Sequence, residues 1–474
     1  MRQFLLPVKV VDSNKAENEK ALFKPKGLLG FHDYDPKKWS KYTKLDGLGS
    51  YIVLDFGKEM CGGVRILTSG IYNANTKIRI RFGESLGEVN SSIGEKNSCN
   101  AHGNRDFETV LCSSGDECYG NSGFRYVRID ILEDKFVYLR NVYCINNILS
   151  KKQIYNYSGN DKRIKDIFDT AKRTVDLCSS SGYIWDGVKR DRLVWVGDMA
   201  PEVMALSTLY GPIKEIERSL DVTKKMFPLP EFMNGIATYS MWWVIIACDY
   251  YQEFKNEKYI KKHLNYIVKA IDNLGIILDE KGNFNKNVRY IVDWPTVGTE
   301  DEDTGIRSIF LLALNKAKEL LSEFGYDTKN IDDIKSRLLL KPLEVKKMKQ
   351  VAALKYFATG KLSDEDYNLL IKGGEDGFST FMSYYILTAI ASRDEKLAIK
   401  LMKNYYGAMI DKGATTFWED FEMKWVEDSG RIDEINPNLK DIHGDYGKHC
   451  YVGFRHSLCH GWSAGVIKFI KEHC

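Results

Sequence analysis

The chain has 474 residues, 44% of them apolar and 28% charged, with a formal net charge of +3. That length exceeds one ordinary core and predicts two domains or one large helical barrel. The near-neutral balance gives no electrostatic case for nucleic acid or an anionic membrane as a partner.

The opening MRQFLLPVKVVDSNKAENEK holds one short apolar run, broken by Pro7 and Lys9, and lacks the long apolar centre of a signal peptide. No run approaches the ~18 apolar residues of a spanning helix. A cytoplasmic location is therefore expected. Ten Cys are scattered along the chain, as free thiols would be, and not in a disulfide framework.

Up to about residue 155 the hydrophobic period is near two. SYIVLDF, GGVRILTSG, KIRIRFGE, FRYVRIDI and FVYLRNVYCI each read as a strand, separated by Gly, Asn and Ser clusters. Short strands with long polar loops predict an antiparallel β-sandwich over residues 1–155. From 156 to 474 the period is 3.6. Helical stretches include DKRIKDIFDTAKRTVDLC, GPIKEIERSLDVTKKMF, YSMWWVIIACDYYQEF, EKYIKKHLNYIVKAIDNLG and TGIRSIFLLALNKAKELLSEFG. They continue with EVKKMKQVAALKYFATG, TFMSYYILTAIAS, DEKLAIKLMKNYYGAMI and HSLCHGWSAGVIKFIKE. Several are apolar on more than one face, as buried inner helices are. About twelve helices fit six hairpins closed into an (α/α)6 barrel. An irregular α-solenoid is the alternative, but no fixed repeat is visible.

A helical barrel carries its site on loops at one end, so carboxylates, aromatics and His in loops are the candidates. The first such loop is WDGVKRDRLVWVGD, from Trp185 to Asp198. Its carboxylates and Arg suit hydroxyls, and its Trp residues suit the apolar face of a pyranose. A salt-bridged connection in which Asp198 caps the next helix is the competing reading. The second is DWPTVGTEDED, where Asp293 precedes Trp294. The third is GATTFWEDFEMKW, with Glu419 after Trp418. The fourth, IHGDYGKHCYVGFRHSLCHGW, is rich in His and Cys but matches no common zinc spacing. Its expected use is His460 hydrogen-bonding a ligand, with no metal. No G-x-S-x-G elbow, P-loop or dinucleotide fingerprint is present, and no cofactor is expected.

In chain order, WDGVKRDRLVWVGDMAPE, YSMWWVIIACDYY, GATTFWEDFE and SLCHGWSAG resemble the catalytic barrel of the α-L-rhamnosidases, glycoside hydrolase family 78. DFGKEMCGGVRI, IRFGESLGE and SGFRYVRIDI resemble the sandwich that precedes it. The resemblance implies an inverting, metal-independent hydrolase of rhamnose-containing oligosaccharides or glycosides. By position it implies Asp191 as general acid and Glu419 as general base. It places Asp186, Arg190, Trp195, Asp198 and His460 around the sugar. Trp294, with Trp242 or Trp243, resembles the aromatic walls.

The sequence also departs from that pattern. Many members carry an adjacent acidic pair with Glu as the acid, whereas Asp191 stands alone between Arg190 and Arg192. The residue before the His is often Asn, and here it is Cys459. A six-hairpin glycosidase of another sugar specificity and an inactive sugar-binding protein are the alternatives; release of a bound sugar separates them.

Overall fold

The computed structural model describes residues 1–24, 37, 40–69 and 75–474. Gly70, at the end of the GGVRILTSG stretch, lies outside them.

The amino-terminal part is antiparallel throughout. Its strands are β1 (Arg2–Leu5), β2 (Lys9–Asn14), β3 (Ala16–Glu17), β4 (Thr43–Asp46) and β5 (Tyr51–Ser69). They continue as β6 (Thr76–Gly83), β7 (Asp106–Leu111), β8 (Asp116–Ile131) and β9 (Phe136–Asn147). The spatial order is β3-β4-β9-β5-β8-β6-β7, with β1 on β9 and β2 on β5. Alternation puts Ile52, Leu54, Ile66, Ile78, Ile80, Val127, Ile129 and Val142 into one buried cluster.

Two expected strands, SYIVLDF and GGVRILTSG, are one. No turn separates them; instead β5 shifts register against β8 between Asp55 and Met60 and again between Gly62 and Val64. Such bulges bend a long strand without ending it. A side chain at Gly63 has no room, since a Cβ there would lie 2.3 Å from the carbonyls of Tyr119 and Gly120. The short helix α1 (Leu86–Asn90) follows β6, and Ser85 caps it by accepting from Glu88 N at 3.1 Å.

Thirteen further α-helices follow among the described residues. Five carry buried faces on most sides: α3 (Met199–Tyr210), α5 (Ala237–Phe254), α8 (Glu302–Glu323), α10 (Lys349–Thr359) and α12 (Ser383–Ala391); a sixth, α14 (Val466–His473), buries one face through Val466, Ile467, Phe469 and Ile470. Each packs on the next, and α14 returns to α3, so the six close a ring. Helices with a single buried stripe lie between them in sequence: α2 (Lys162–Cys178), α4 (Lys214–Met226), α7 (Leu264–Gly275) and α9 (Lys329–Leu338), then α11 (Asp364–Ile371) and α13 (Glu395–Asp411). No described helix is long and apolar enough to cross a membrane. All ten Cys are unpaired.

Three expected helices are shorter than their pattern. EKYIKKHLNYIVKAIDNLG breaks into α6 (Glu257–Ile260) and α7, where His263 is packed against Trp243 and Tyr259. EVKKMKQVAALKYFATG is helical only from Lys349, because Asp301 captures the N–H groups of Lys346, Lys347 and Met348. The last helix does not begin at His456. Residues 456–460 run past the 186–187 backbone, where Gly461 N donates to Asp186 O at 2.7 Å, and a 3-10 turn starts at Gly461.

The two parts meet at backbone distance. A Cβ on Gly123 of β8 would lie 2.6 Å from Val188 Cγ2 and 2.8 Å from Lys189 N. Gly123→Val is expected to lower stability by about 1–3 kcal/mol through overpacking. Chemical denaturation checks this, and an unchanged midpoint would mean that the junction yields freely.

Candidate active site

The loop from Trp185 to Asp198 joins α2 to α3 and closes on itself. Asp186 N donates to Leu193 O at 3.1 Å, and Leu193 N donates to Asp186 Oδ1 at 3.0 Å. Between them Asp191 and Arg192 both take left-handed backbone, at φ 54° and 53°. Non-glycine residues adopt that region at a cost, and functional sites are where such strain collects.

Lys189 anchors the loop. Its Nζ is buried within 3.0 Å of Glu84, 3.2 Å of Glu88, 2.8 Å of Phe454 O and 3.4 Å of His443 Nε2, and also donates to His456 O. Burial opposes its charge, but Glu84 and Glu88 outweigh it and raise its pKa. Glu84 is pushed up to about 7, by burial first, against the pull of Lys189. Glu84, Glu88 and His443 have the spacing of cation ligands. The ammonium of Lys189 already fills that position.

Arg190, the next residue, reaches the other way. Its Nη1 donates to Asp191 Oδ2 at 3.2 Å, its Nη2 to Glu419 Oε1, and its Nε to Arg455 O at 3.1 Å. Burial works against the guanidinium, yet Glu419 and Asp191 hold it above its usual pKa. Glu419 also accepts from Ser457 N at 3.0 Å, while its own carbonyl accepts from Trp462 Nε1 at 2.9 Å. Ser457 and Leu458 are tied in turn to Glu84 at 3.2 and 2.6 Å.

Asp186, Arg190, Asp191, Trp195, Asp198, Trp294, Glu419 and His460 line one cavity. His460 Nε2 lies 4.0 Å from Asp186, 3.9 Å from Asp198 and 3.6 Å from Glu419. Burial, then Arg190, holds His460 well below its usual pKa. Burial, then Asp198, raises Asp186, and burial raises Asp198 against a hydrogen bond from Tyr239. Burial thus disfavours the charged form of both carboxyls and of the imidazole on the cavity floor. Asp198 makes no side-chain cap for α3; its carboxyl accepts from Tyr239 OH at 3.2 Å. Glu202, one turn further along, is buried with both oxygens unpartnered, and a Cβ on Gly461 would lie 1.5 Å from it.

Trp242 and Trp243 are the exceptions, and neither reaches the cavity. Both are buried in α5: Trp242 packs on Phe381 and Tyr385, and Trp243 donates to Leu220 O at 3.1 Å. A helix covered on nearly all sides sends its indoles into the interhelical core. Asp293 is likewise structural, forming a capping box with Thr296, while Trp294 beside it lines the cavity and stacks on His449. The structure adds Tyr239, Arg289, Cys450 and Trp462 to the wall. Trp462 had a signal in the sequence, two residues after His460. Cys450 lay in the His- and Cys-rich fourth loop, and Arg289 had no signal.

No protein-family model and no curated protein matches the chain. Solved structures do. A rhamnosidase from Klebsiella oxytoca with rhamnose bound is 18% identical at a TM-score of 0.75, over 100% of this chain and 96% of that one. The GH78 family rhamnosidase of Bacillus sp. GL1 is 18% identical at 0.68, over 89% of this chain and 46% of that one. The Streptomyces avermitilis α-L-rhamnosidase complexed with L-rhamnose is 15% identical at 0.61, over 90% and 43%. The chain thus spans under half the length of the latter two. Its fold is rhamnosidase-like along its whole length, an antiparallel sheet followed by a helical region, and the likeness read from the motifs holds for the fold.

Lys189→Met is expected to cost about 3–5 kcal/mol, because it strands Glu84 and Glu88 in the interior; a denaturation midpoint equal to the parent's would contradict this. Asp420, next to Glu419, is pushed up to about 7 by burial first, then by Glu422, Asp293 and Glu419. The folded chain keeps a proton that an unfolded Asp gives up near pH ~4. Stability is thus lost as pH rises from about 4 through about 7. Asp420→Asn should raise the Tm at pH 8 and leave it unchanged at pH 4; a gain of equal size at both would refute the linkage.

Proposed function

We propose that the protein is an inverting glycoside hydrolase that removes terminal α-L-rhamnose from oligosaccharides or glycosides. Its helical ring is then an (α/α)6 six-hairpin barrel behind a β-sandwich, with the boundary near residue 155. The observation that carries the reading is the Arg190 guanidinium, which holds Asp191 on one terminal nitrogen and Glu419 on the other inside one cavity. The rhamnose bound in structures of the same fold supports the choice of sugar.

In this reading the sugar lies among Asp186, Asp198 and His460, with Trp195 and Trp294 against its apolar surface. Asp186, Asp198 and His460 hydrogen-bond to its hydroxyls. Asp191 passes a proton to the leaving oxygen as the glycosidic C–O bond breaks. A water on the opposite face forms the new C–O bond and gives its proton to Glu419. Two carboxyls flanking a water are the inverting arrangement. The bonds from Arg190 and Ser457 fix Glu419 as an acceptor before substrate arrives, and such preorganisation is what positioned catalysis requires. No cofactor enters the scheme.

The test is nitrophenol release from an aryl α-L-rhamnoside. Glu419→Gln should lose about 10²–10⁴-fold in kcat, the usual range for a general base. Asp191→Asn should lose less on this activated substrate than on an alkyl rhamnoside. The first-formed rhamnose should be the β-anomer by NMR. Retained configuration, or turnover indifferent to Glu419→Gln, would overturn the mechanism. Turnover of a different aryl glycoside alone would move the sugar.

A further inference from the structure

Beside the cavity, on the side of Asp191, lies a groove of about 320 Å³. Trp185, Trp195 and Phe227 give it rings, and Leu193, Val222 and Met226 give it aliphatic walls. Groove and cavity are both built on the segments that precede α3 and α5. Trp195 is common to the two. Two stretches of chain also run from one to the other. Asp191 lines the cavity, and the residues after it, Arg192 and Leu193, line the groove. Ile236 lines the cavity, and Asn234 lines the groove. The far wall is the last turn of α4, from Val222 to Met226, with Phe227 beyond it.

The groove is apolar even where water reaches it. Leu193 is 44% exposed, Met226 58% and Tyr183, also on its wall, 38%. Exposed apolar side chains gathered around a concave surface mark a binding place, whereas scattered ones do not. No described carboxylate lines it. Its amide and guanidinium groups are already engaged. Asn234 Nδ2 donates to Val194 O at 3.2 Å, and Asn234 Oδ1 accepts from Val196 N at 3.0 Å. Arg192 Nη1 donates to Asn121 O at 3.0 Å, and Nη2 to His102 O at 2.9 Å. A second sugar ring would bring several hydroxyls here, and each one taken from water without a partner costs binding. An alkyl chain or an aromatic ring brings none and gains by leaving water.

We propose that this groove receives the leaving group, and that the leaving group is apolar: an alkyl or aryl alcohol joined directly to the rhamnose, in preference to a second sugar. The proposal rests on the reaction proposed above. In that reaction the departing oxygen lies beside Asp191, and the groove begins at the next residue. Trp195 then meets the sugar on the cavity side and the leaving group on the groove side. Leu193, Val222 and Met226 touch the leaving group alone, so they set selectivity without entering the chemistry.

The test is kcat/KM for methyl, butyl and octyl α-L-rhamnosides and for a rhamnosyl-glucose disaccharide. The three alcohols are similar leaving groups, so differences among them read the groove. With about three methylenes buried, at about fourfold for each, the octyl substrate should exceed the methyl one by about 50-fold. The disaccharide should resemble the methyl substrate. Leu193→Gln combined with Met226→Gln should lower the octyl-to-methyl ratio about tenfold, with the methyl value within about twofold of the parent's. Met226→Gln alone, at an exposed position, guards against misfolding and should lower the ratio about threefold. Equal values along the alkyl series, a disaccharide preferred to the octyl substrate, or a ratio unmoved by either variant would overturn the inference and leave the reaction in place. An unmoved ratio beside a dimer that becomes a monomer in light scattering would make the groove a contact between copies of the chain. Turnover of no rhamnoside would remove the proposed reaction itself, and with it the leaving group that the groove is to hold.

Discussion

A single buried ammonium organises this molecule. Lys189 Nζ is enclosed by two carboxylates from the sheet part, Glu84 and Glu88, and by carbonyls from the segment before the last helix. None of these groups is tolerable alone in the interior. Together they lock three segments far apart in sequence into one register. The neighbouring Arg190 inherits that register, and through it so do Asp191 and Glu419. The geometry of the cavity is thus set by an ion cluster that does not line it.

The cavity also depends on burial. Asp186, Asp198 and Glu202 crowd together with His460, and burial pushes the pKa of each acid up and that of the imidazole down. Two guanidinium groups reach the same cavity, Arg190 between Asp191 and Glu419 and Arg289 on the wall.

Much of this was legible in the sequence. Alternation located the sheet, and the 3.6 period located most helices with their buried faces. The carboxylate-rich loops around Asp191 and Glu419 marked the cavity, because such mixtures suit neither a plain surface nor a plain core. What was not legible depends on long-range packing. SYIVLDF and GGVRILTSG read as two strands because a bulge and a turn both use Gly. Trp242 and Trp243 read as wall residues because an indole looks the same whether it faces a cavity or a neighbouring helix. The HSLCHGW stretch carries a helical pattern, yet a backbone bond from Gly461 to Asp186 delays the helix. The role of Lys189 was hidden because its partners lie about a hundred residues before it and more than 250 after it.

The contacts around the cavity form a circuit. Glu84 in the sheet part holds Ser457 and Leu458, Ser457 holds Glu419, Glu419 holds Arg190, Arg190 holds Asp191, and Asp191 returns to the sheet part at His102. A circuit has no free end. The helical ring carries every carboxylate of the cavity, but it is not a portable module: excised from its sheet, it would keep the letters of the motif and lose their spacing. Grafting this site onto another scaffold would require transplanting a boundary between two folds as well as a set of side chains.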